Sequence, residues 1–221
     1  MAISITEKLR IPFIGDPLLS DYQQVANKLK SEGVKALIEK INWSDYPWQP
    51  IVELFAGYSG FYLWLCYEVR NDHFRADATA DHQSVWEDSC VEFFMTTDLK
   101  PNEAQTQYRN FEFNALGTCL SAYGNKAWRV LLSSGEMQRI LRFPGKTAAG
   151  WKEGEPFDWQ LAVALPLDLL GLVPGNTFRA NFYKCGDLTL KPHFLSWNGI
   201  VAAEPDFHLP QFFGEAQLLI K

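Results

Sequence analysis

From Val52 onward the chain is built of short runs with a period of two, and this periodicity constrains the fold more than any other feature. In "SCVEFFMTTD", Val91, Phe93 and Met95 share one phase, while Cys90, Glu92, Phe94 and Thr96 share the other. In "YRNFEFN", Phe111 and Phe113 oppose Asn110, Glu112 and Asn114; in "TFRANFYK", Phe178, Ala180 and Phe182 oppose Arg179, Asn181 and Tyr183. Successive side chains of an extended strand point to opposite faces, so each run predicts a strand with one aromatic core face and one hydrogen-bonding face. Aromatic residues make up 14% of the chain, and the surplus of Trp and Phe sits mostly in such runs, which favours strands over helices.

Further strands are expected in "VELFAGYSGFYLWLCYEV", broken by a turn at residues 57–60, in the long hairpin "YRNFEFNALGTCLSAY" around Gly117, and in "FDWQLAVALPL" and "FGEAQLLIK". The helix signal lies before them. Ser20 and Gln23 have capping-box spacing, Tyr22, Val25, Ala26 and Leu29 follow at helical spacing, and Gly33 ends the run. "VKALIEKINW" is compatible with strand or helix. Six or more strands joined by turns predict an all-β fold, an antiparallel sandwich or barrel, with the short helical N-terminal segment covering one face. No internal repeat, low-complexity tract or linker divides the 221 residues, so a single domain over 1–221 is expected, with residues 1–50 packed on it.

The net charge is −6 and no run of Lys and Arg is present, which argues against nucleic acid and anionic membrane surfaces as partners. No apolar stretch reaches the roughly 18 residues that span a bilayer, and no positively charged segment leads into a long apolar one at the N-terminus, so no signal peptide is expected. Cys66, Cys90, Cys119 and Cys185 are widely spaced, with no C-x-x-C and no neighbouring His pair. That pattern predicts free core thiols and no zinc site. Oligomeric state is not legible.

An acid inside an apolar strand is costly unless something pairs with it. Glu92 therefore either pairs with Arg179 or Arg109 inside the sheet or accepts hydrogen bonds from a ligand. Solvated sheet faces are rich in Lys and Thr; here they carry short carboxylates, amides and an arginine, suited to a polyhydroxylated ligand. Trp64 and Trp159 lie in strand patterns and are expected in the core, whereas Trp86 and Trp197 lie in polar, loop-like surroundings where a flat ring packs or stacks on a ligand.

The order of "VWEDSCVEFF", "YRNFEFNALG", "WQLAVALPLDLLGL", "FRANFYKCG" and "SWNGIVAAEPDFHLPQFFGEAQLL" resembles the family 9 carbohydrate-binding modules and the wider group of DOMON-like sandwich domains, from residue 52 to the end of the chain. The resemblance implies a β-sandwich that holds a carbohydrate between two tryptophans without catalysis. Carried over by position, Trp86 and Trp197 would be the stacking pair, and Glu92, Glu112 and Asn114 the polar contacts, with Arg75 and Arg179 as further candidates from their neighbourhood. Some members of the family bind structural calcium, but no dense Asp/Asn loop marks a site here, and no cofactor is expected.

Three rival functions belong to other classes. Glu92 and Glu112 could serve as the acid and base of a glycoside hydrolase. A DOMON-type haem protein would need an apolar setting for His73, His82, His193 or His208, all in polar, loop-like stretches. A sandwich of this kind could also act purely in protein interaction. Two apparent motifs fail: "PGKT" at 144–147 has Ile140 where a P-loop needs glycine, and "GYSGF" has Phe61 where a nucleophile elbow needs its second glycine.

Overall fold

The structure, a computed structural model, describes residues 6–16, 21–145, 152 and 155–220. In chain order the described strands are β1 (Lys8–Ile11), β2 (Val34–Leu37), β3 (Lys40–Ile41), β4 (Ile51–Tyr58), β5 (Tyr62–His73), β6 (Cys90–Thr96) and β7 (Tyr108–Asn114). They continue with β8 (Cys119–Gly124), β9 (Arg129–Leu131), β10 (Leu141–Pro144), β11 (Pro156–Pro166), β12 (Thr177–Cys185), β13 (Phe194–Ser196) and β14 (Gly214–Leu218). Helix α1 (Tyr22–Glu32) precedes β2, and the short helices α2 (Ser134–Gln138) and α3 (Leu167–Leu170) follow β9 and β11.

The strands form two sheets. One runs β1-β14-β12-β6-β7-β8-β9, with β13 beside β12 and β3 beyond β13; the other runs β10-β11-β5-β4-β2. Pairing is antiparallel throughout except between β1 and β14. The all-β sandwich expected from the alternating runs is the fold observed.

The aromatic phase of each run lies between the sheets. Register places Phe182 opposite Phe93 and Phe93 opposite Phe111, so three adjacent strands contribute a ladder of stacked rings with centroids 5.2 and 6.1 Å apart. Such pairs stabilise by about 0.5–1.5 kcal/mol beyond their burial. Phe113 and Phe178 join the same core, so all five phenylalanines on the aromatic phase are buried. The opposing sheet answers with Leu63, Leu65, Tyr67, Trp159, Leu161 and Val163.

At one end of this core an ionic cluster crosses between the sheets. Lys184 alternates with Tyr183 and Cys185, so its ammonium points inward, where it meets the carboxylate of Asp72 from β5 at 3.0 Å and Nε2 of His193 at 2.8 Å. Trp159 Nε1–H also donates to Asp72, and Nδ1–H of His193 donates to the Lys191 carbonyl. Burial alone would raise the Asp72 carboxyl, but Lys184, His193 and Trp159 together hold it below its ordinary value.

The outer face of the second sheet is covered by α1, whose Tyr22, Val25, Ala26 and Leu29 pack on Trp64, Cys66, Ala162 and Ala164. The helix is capped by the Asp21 side chain, which accepts from the Gln24 amide; Ser20, expected to cap it, lies outside the described residues. Gly33 ends it where a Cβ would stand 2.5 Å from the Leu29 carbonyl oxygen and 2.7 Å from that of Ala56, an approach only glycine permits. The ambiguous "VKALIEKINW" forms β2 and β3. Residues 1–50 therefore contribute strands to both sheets as well as a covering helix.

The outer face of the first sheet is covered by the stretch between β12 and β14. Phe207 lies flat on Tyr183 at 4.1 Å, Phe213 meets Phe94 and Tyr108 edge-on, and Trp43 donates Nε1–H to the Ala202 carbonyl. That cover is incomplete, and the gap is a cleft.

Candidate functional site

The cleft encloses about 400 Å³ over the polar phase of the first sheet. Its floor is set by strand alternation: Glu92 from β6, Asn110 and Glu112 from β7, Leu120 and Ala122 from β8, Arg129 and Leu131 from β9, and Cys185 from β12. Trp86, Asp187, Phe194 and residues 205–208 complete the lining. Trp86 sits on a single 3₁₀ turn, Val85–Glu87, anchored by the fully buried Val85 and by the Asp187 amide, which donates to the Trp86 carbonyl. Trp86 itself is 38% exposed, which is unusual for so large an apolar residue with a cleft beside it.

Glu92 and Glu112 are direct cross-strand neighbours, an arrangement that destabilises two like charges. Both carboxyls are buried. Burial, then the adjacent Cys185 and Glu112, push Glu92 well above the ordinary carboxylate range. Burial pushes Glu112 up to about 7, although an Asn110 hydrogen bond and the Arg129 guanidinium pull the other way. Glu112 accepts from Asn110 Nδ2 at 2.6 Å, Asn110 Oδ1 accepts from Arg129, and Arg129 lies 4.7 Å above the Tyr108 ring. The Tyr108 hydroxyl bonds Nδ1 of His208 at 2.9 Å, and burial, then Arg129, lower His208 to about 4. Glu92 accepts from the Cys185 thiol at 3.1 Å and faces the Cys90 thiol at 4.0 Å.

The floor thus presents carboxyls held toward their protonated form, an amide and an imidazole held toward its neutral form beside one guanidinium, with the Asp187 and Asp206 carboxyls also in the lining. Groups of the first three kinds both donate and accept hydrogen bonds, which matches the dual character of an alcohol. The pairing of Glu92 with Arg179 or Arg109 is not formed: Arg179 Nε donates to the Leu99 carbonyl, and Arg109 lies over the Tyr123 ring.

Of the residues expected at the site, Trp86, Glu92 and Glu112 come together and four do not. Trp197 follows β13 directly, donates its amide to the Phe182 carbonyl, and turns its ring into the core, edge-on to Phe182 at 5.5 Å. It is 5% exposed and does not line the cleft, so the expected facing pair of tryptophans is not formed. Asn114 is fully buried and holds the β7–β8 hairpin: Oδ1 accepts from the amides of Leu116 and Thr118, and Nδ2 donates to Ala78 and Asp88. Arg75 pairs with Asp77 and Asp88 at a separate surface hollow, and Arg179 lies toward the other end of β12.

The residues that sequence reasoning missed are Asn110, Arg129, Asp187, Phe207 and His208. Asn110 carried a signal, since it shares the phase of Glu112 two positions on. Phe207, which shares the cleft with Trp86, stood within the "FHLP" element; nothing in the pattern around Arg129 or Asp187 separates them from ordinary surface residues.

A family model described as carbohydrate-binding family 9 matches residues 23–218. A candidate carbohydrate-binding protein from Bacteroides uniformis ATCC 8492 is 30% identical, with a TM-score of 0.83 over 96% of this chain and 99% of that one. Two structures of a family 9 carbohydrate-binding module from Caldicellulosiruptor kristjanssonii, one in complex with glucose and one with cellotriose, are each 11% identical. Their TM-scores are 0.65 and 0.62, with 97% of this chain and 97% and 95% of theirs covered, a likeness of fold. No curated protein matches the chain.

Proposed function

The chain belongs to carbohydrate-binding family 9, and from that premise we propose that the cleft beside Trp86 binds a neutral sugar, one ring or a short chain, without turning it over. The observation that carries this is the convergence of an exposed indole with the buried hydrogen-bonding groups of Glu92, Asn110 and Glu112 in one cleft. Its 400 Å³ falls within the roughly 300–1,000 Å³ of small-ligand pockets. The axial and equatorial C–H groups of a pyranose stack on the apolar indole face, while Glu92, Asn110, Glu112 and Arg129 meet its hydroxyls. A disaccharide of about 23 heavy atoms, at roughly 0.3 kcal/mol each, gives a Kd near ~10 μM.

Catalysis fits the same residues poorly. A glycoside hydrolase needs an ionised carboxylate beside its acid, whereas burial raises both Glu92 and Glu112 above the ordinary carboxylate range. Two measurements test the proposal. Calorimetric titration with glucose, cellobiose and cellotriose is expected to give saturable binding that Trp86→Ala weakens about 10- to 100-fold, the ~1.5–3 kcal/mol of one large apolar contact. Aryl glycosides are expected to remain intact. Unchanged binding by Trp86→Ala, or hydrolysis abolished by Glu92→Gln, overturns it.

A further inference from the structure

We propose that Cys90, Glu92 and Cys185 form a binding site for a zinc-class divalent cation at the floor of the cleft. No sequence spacing marks it, because Cys185 stands 93 residues from Glu92. Sheet register creates it. Cys90 and Glu92 share one phase of β6, and the antiparallel pairing of β6 with β12 sets Cys185 directly opposite Cys90. The two sulfurs and one carboxylate oxygen all lie within 4.8 Å of one another, the sole such group of His, Cys, Asp or Glu among the described residues.

The distances suit the ion. A tetrahedral centre with bonds of about 2.3 Å to sulfur and 2.0–2.2 Å to oxygen holds its ligand atoms roughly 3.5–3.8 Å apart. The two sulfur–oxygen separations, 3.1 and 4.0 Å, bracket that range, so side-chain rotations of under about 1 Å close the site. Two sulfurs and a carboxylate are a zinc or cadmium donor set rather than one for magnesium or calcium, which take oxygen. Cys185 and Glu92 both line the cleft, so an ion can enter from it and its fourth position faces it.

The alternative is that both cysteines are ordinary core residues. Buried thiols need no carboxyl beside them, yet Glu92 accepts here from the Cys185 thiol at 3.1 Å, with the Cys90 thiol 4.0 Å away and closer to the Val91 carbonyl, and thiols are weak donors. A buried acid served so poorly is explained if a cation takes the place of those donors. Glu92 also belongs to the floor proposed above for the sugar. Resting on that functional proposal, the cation and the sugar compete for one carboxyl, and each weakens the other by the same factor.

The test is a Cd²⁺ titration of the fully reduced chain, followed by the ultraviolet charge-transfer band of thiolate-bound cadmium. One equivalent is expected to bind, and Zn²⁺ to displace it. The Cys66→Ala/Cys119→Ala variant, which keeps only the proposed pair, is expected to retain the band in full. Cys90→Ala/Cys185→Ala is expected to lose it, and Glu92→Gln to keep it with affinity about 10- to 100-fold weaker. No saturable band in the unaltered chain overturns the site, as does its loss in the Cys66→Ala/Cys119→Ala variant if near-ultraviolet circular dichroism shows that variant folded. Undiminished affinity in Glu92→Gln removes the carboxylate from it. The spectroscopic arms need no sugar, so a chain that binds Cd²⁺ but no sugar fails the functional proposal alone. One that binds both without mutual weakening fails the shared carboxyl.

Discussion

Trp197 is packed so closely over Gly214 that a Cβ there would stand 2.4 Å from its ring. Trp86 presents its ring to the cleft, and the two indoles are expected to behave oppositely on truncation. Trp197→Ala leaves a large cavity beside Phe182 and should destabilise by about 3–5 kcal/mol in urea denaturation. Trp86→Ala should change stability by less than about 0.5 kcal/mol, as substitutions at exposed positions do. Gly214→Ala should be destabilising for the opposite steric reason, a clash with the Trp197 ring rather than a cavity. A Trp86→Ala chain that unfolds, or a Trp197→Ala chain of unaltered stability, would contradict this assignment. The sequence could not separate the two residues, because each stands among polar neighbours and their difference comes from the three-residue strand β13, too short to leave a periodic signal. Glu92 and Glu112 were legible because an acid inside an alternating aromatic run is costly without a purpose. Asn114 carried the same phase but ends its strand, where an amide more often bonds the backbone of the following turn.

Among the elements, β6, β7 and β12 were readable as strands from the alternation of Phe with polar residues, although Lys184 stands on the core phase of β12 and Phe94 on the polar phase of β6. Register was not readable, and it creates the Glu92–Glu112 and Cys90–Cys185 pairs; nor was the packing of one sheet on the other, which forms the junction of β5 with β12 through Asp72 and Lys184. His193 at that junction gives a pH-dependent contribution. Burial, then Lys184, lower its pKa from 6.5 to about 4, so between these values the unfolded chain takes up a proton that the folded chain refuses. Its contribution to stability is full above pH 6.5 and falls as pH drops toward 4, by up to about 1.4 kcal/mol per unit for one proton. His208 acts in the same direction, whereas Glu112 and Asp187, raised to about 7 and 6, act in the opposite one. The difference between two chains isolates the term: His193→Gln retains an acceptor for Lys184 without the titration. The gap in unfolding free energy between the original chain and His193→Gln, measured at pH 7.5, 6 and 5, should narrow steadily as pH falls. A constant gap would show that His193 does not titrate between the two states.

Over the whole molecule, the stretch that precedes β3 is built into the sandwich in three places. Strand β1 lies parallel to β14 at one border of the first sheet, β2 lies along β4 at one border of the second, and α1 covers Trp64, Cys66, Ala162 and Ala164. The family model begins at residue 23, inside α1, so the match itself does not include β1. Removing residues 1–33 would strip the helix and β1 together. It would bare a continuous apolar face on the second sheet and leave one edge of β14 unpaired, and both are sites of association between chains. The shortened chain is therefore expected to aggregate or to melt well below the full chain, even though the residues of the cleft floor, from Glu92 onward, are all retained. Leu29→Ala probes the same contact gently. Leu29 is fully buried, and its truncation should lower stability by about 2–5 kcal/mol with sugar affinity unchanged, because helix and cleft lie on opposite outer faces of the sandwich. Size-exclusion chromatography and thermal melts of the two variants check this. A monomeric 34–221 fragment with the melting temperature of the full chain would show that the segment adds nothing to the sandwich.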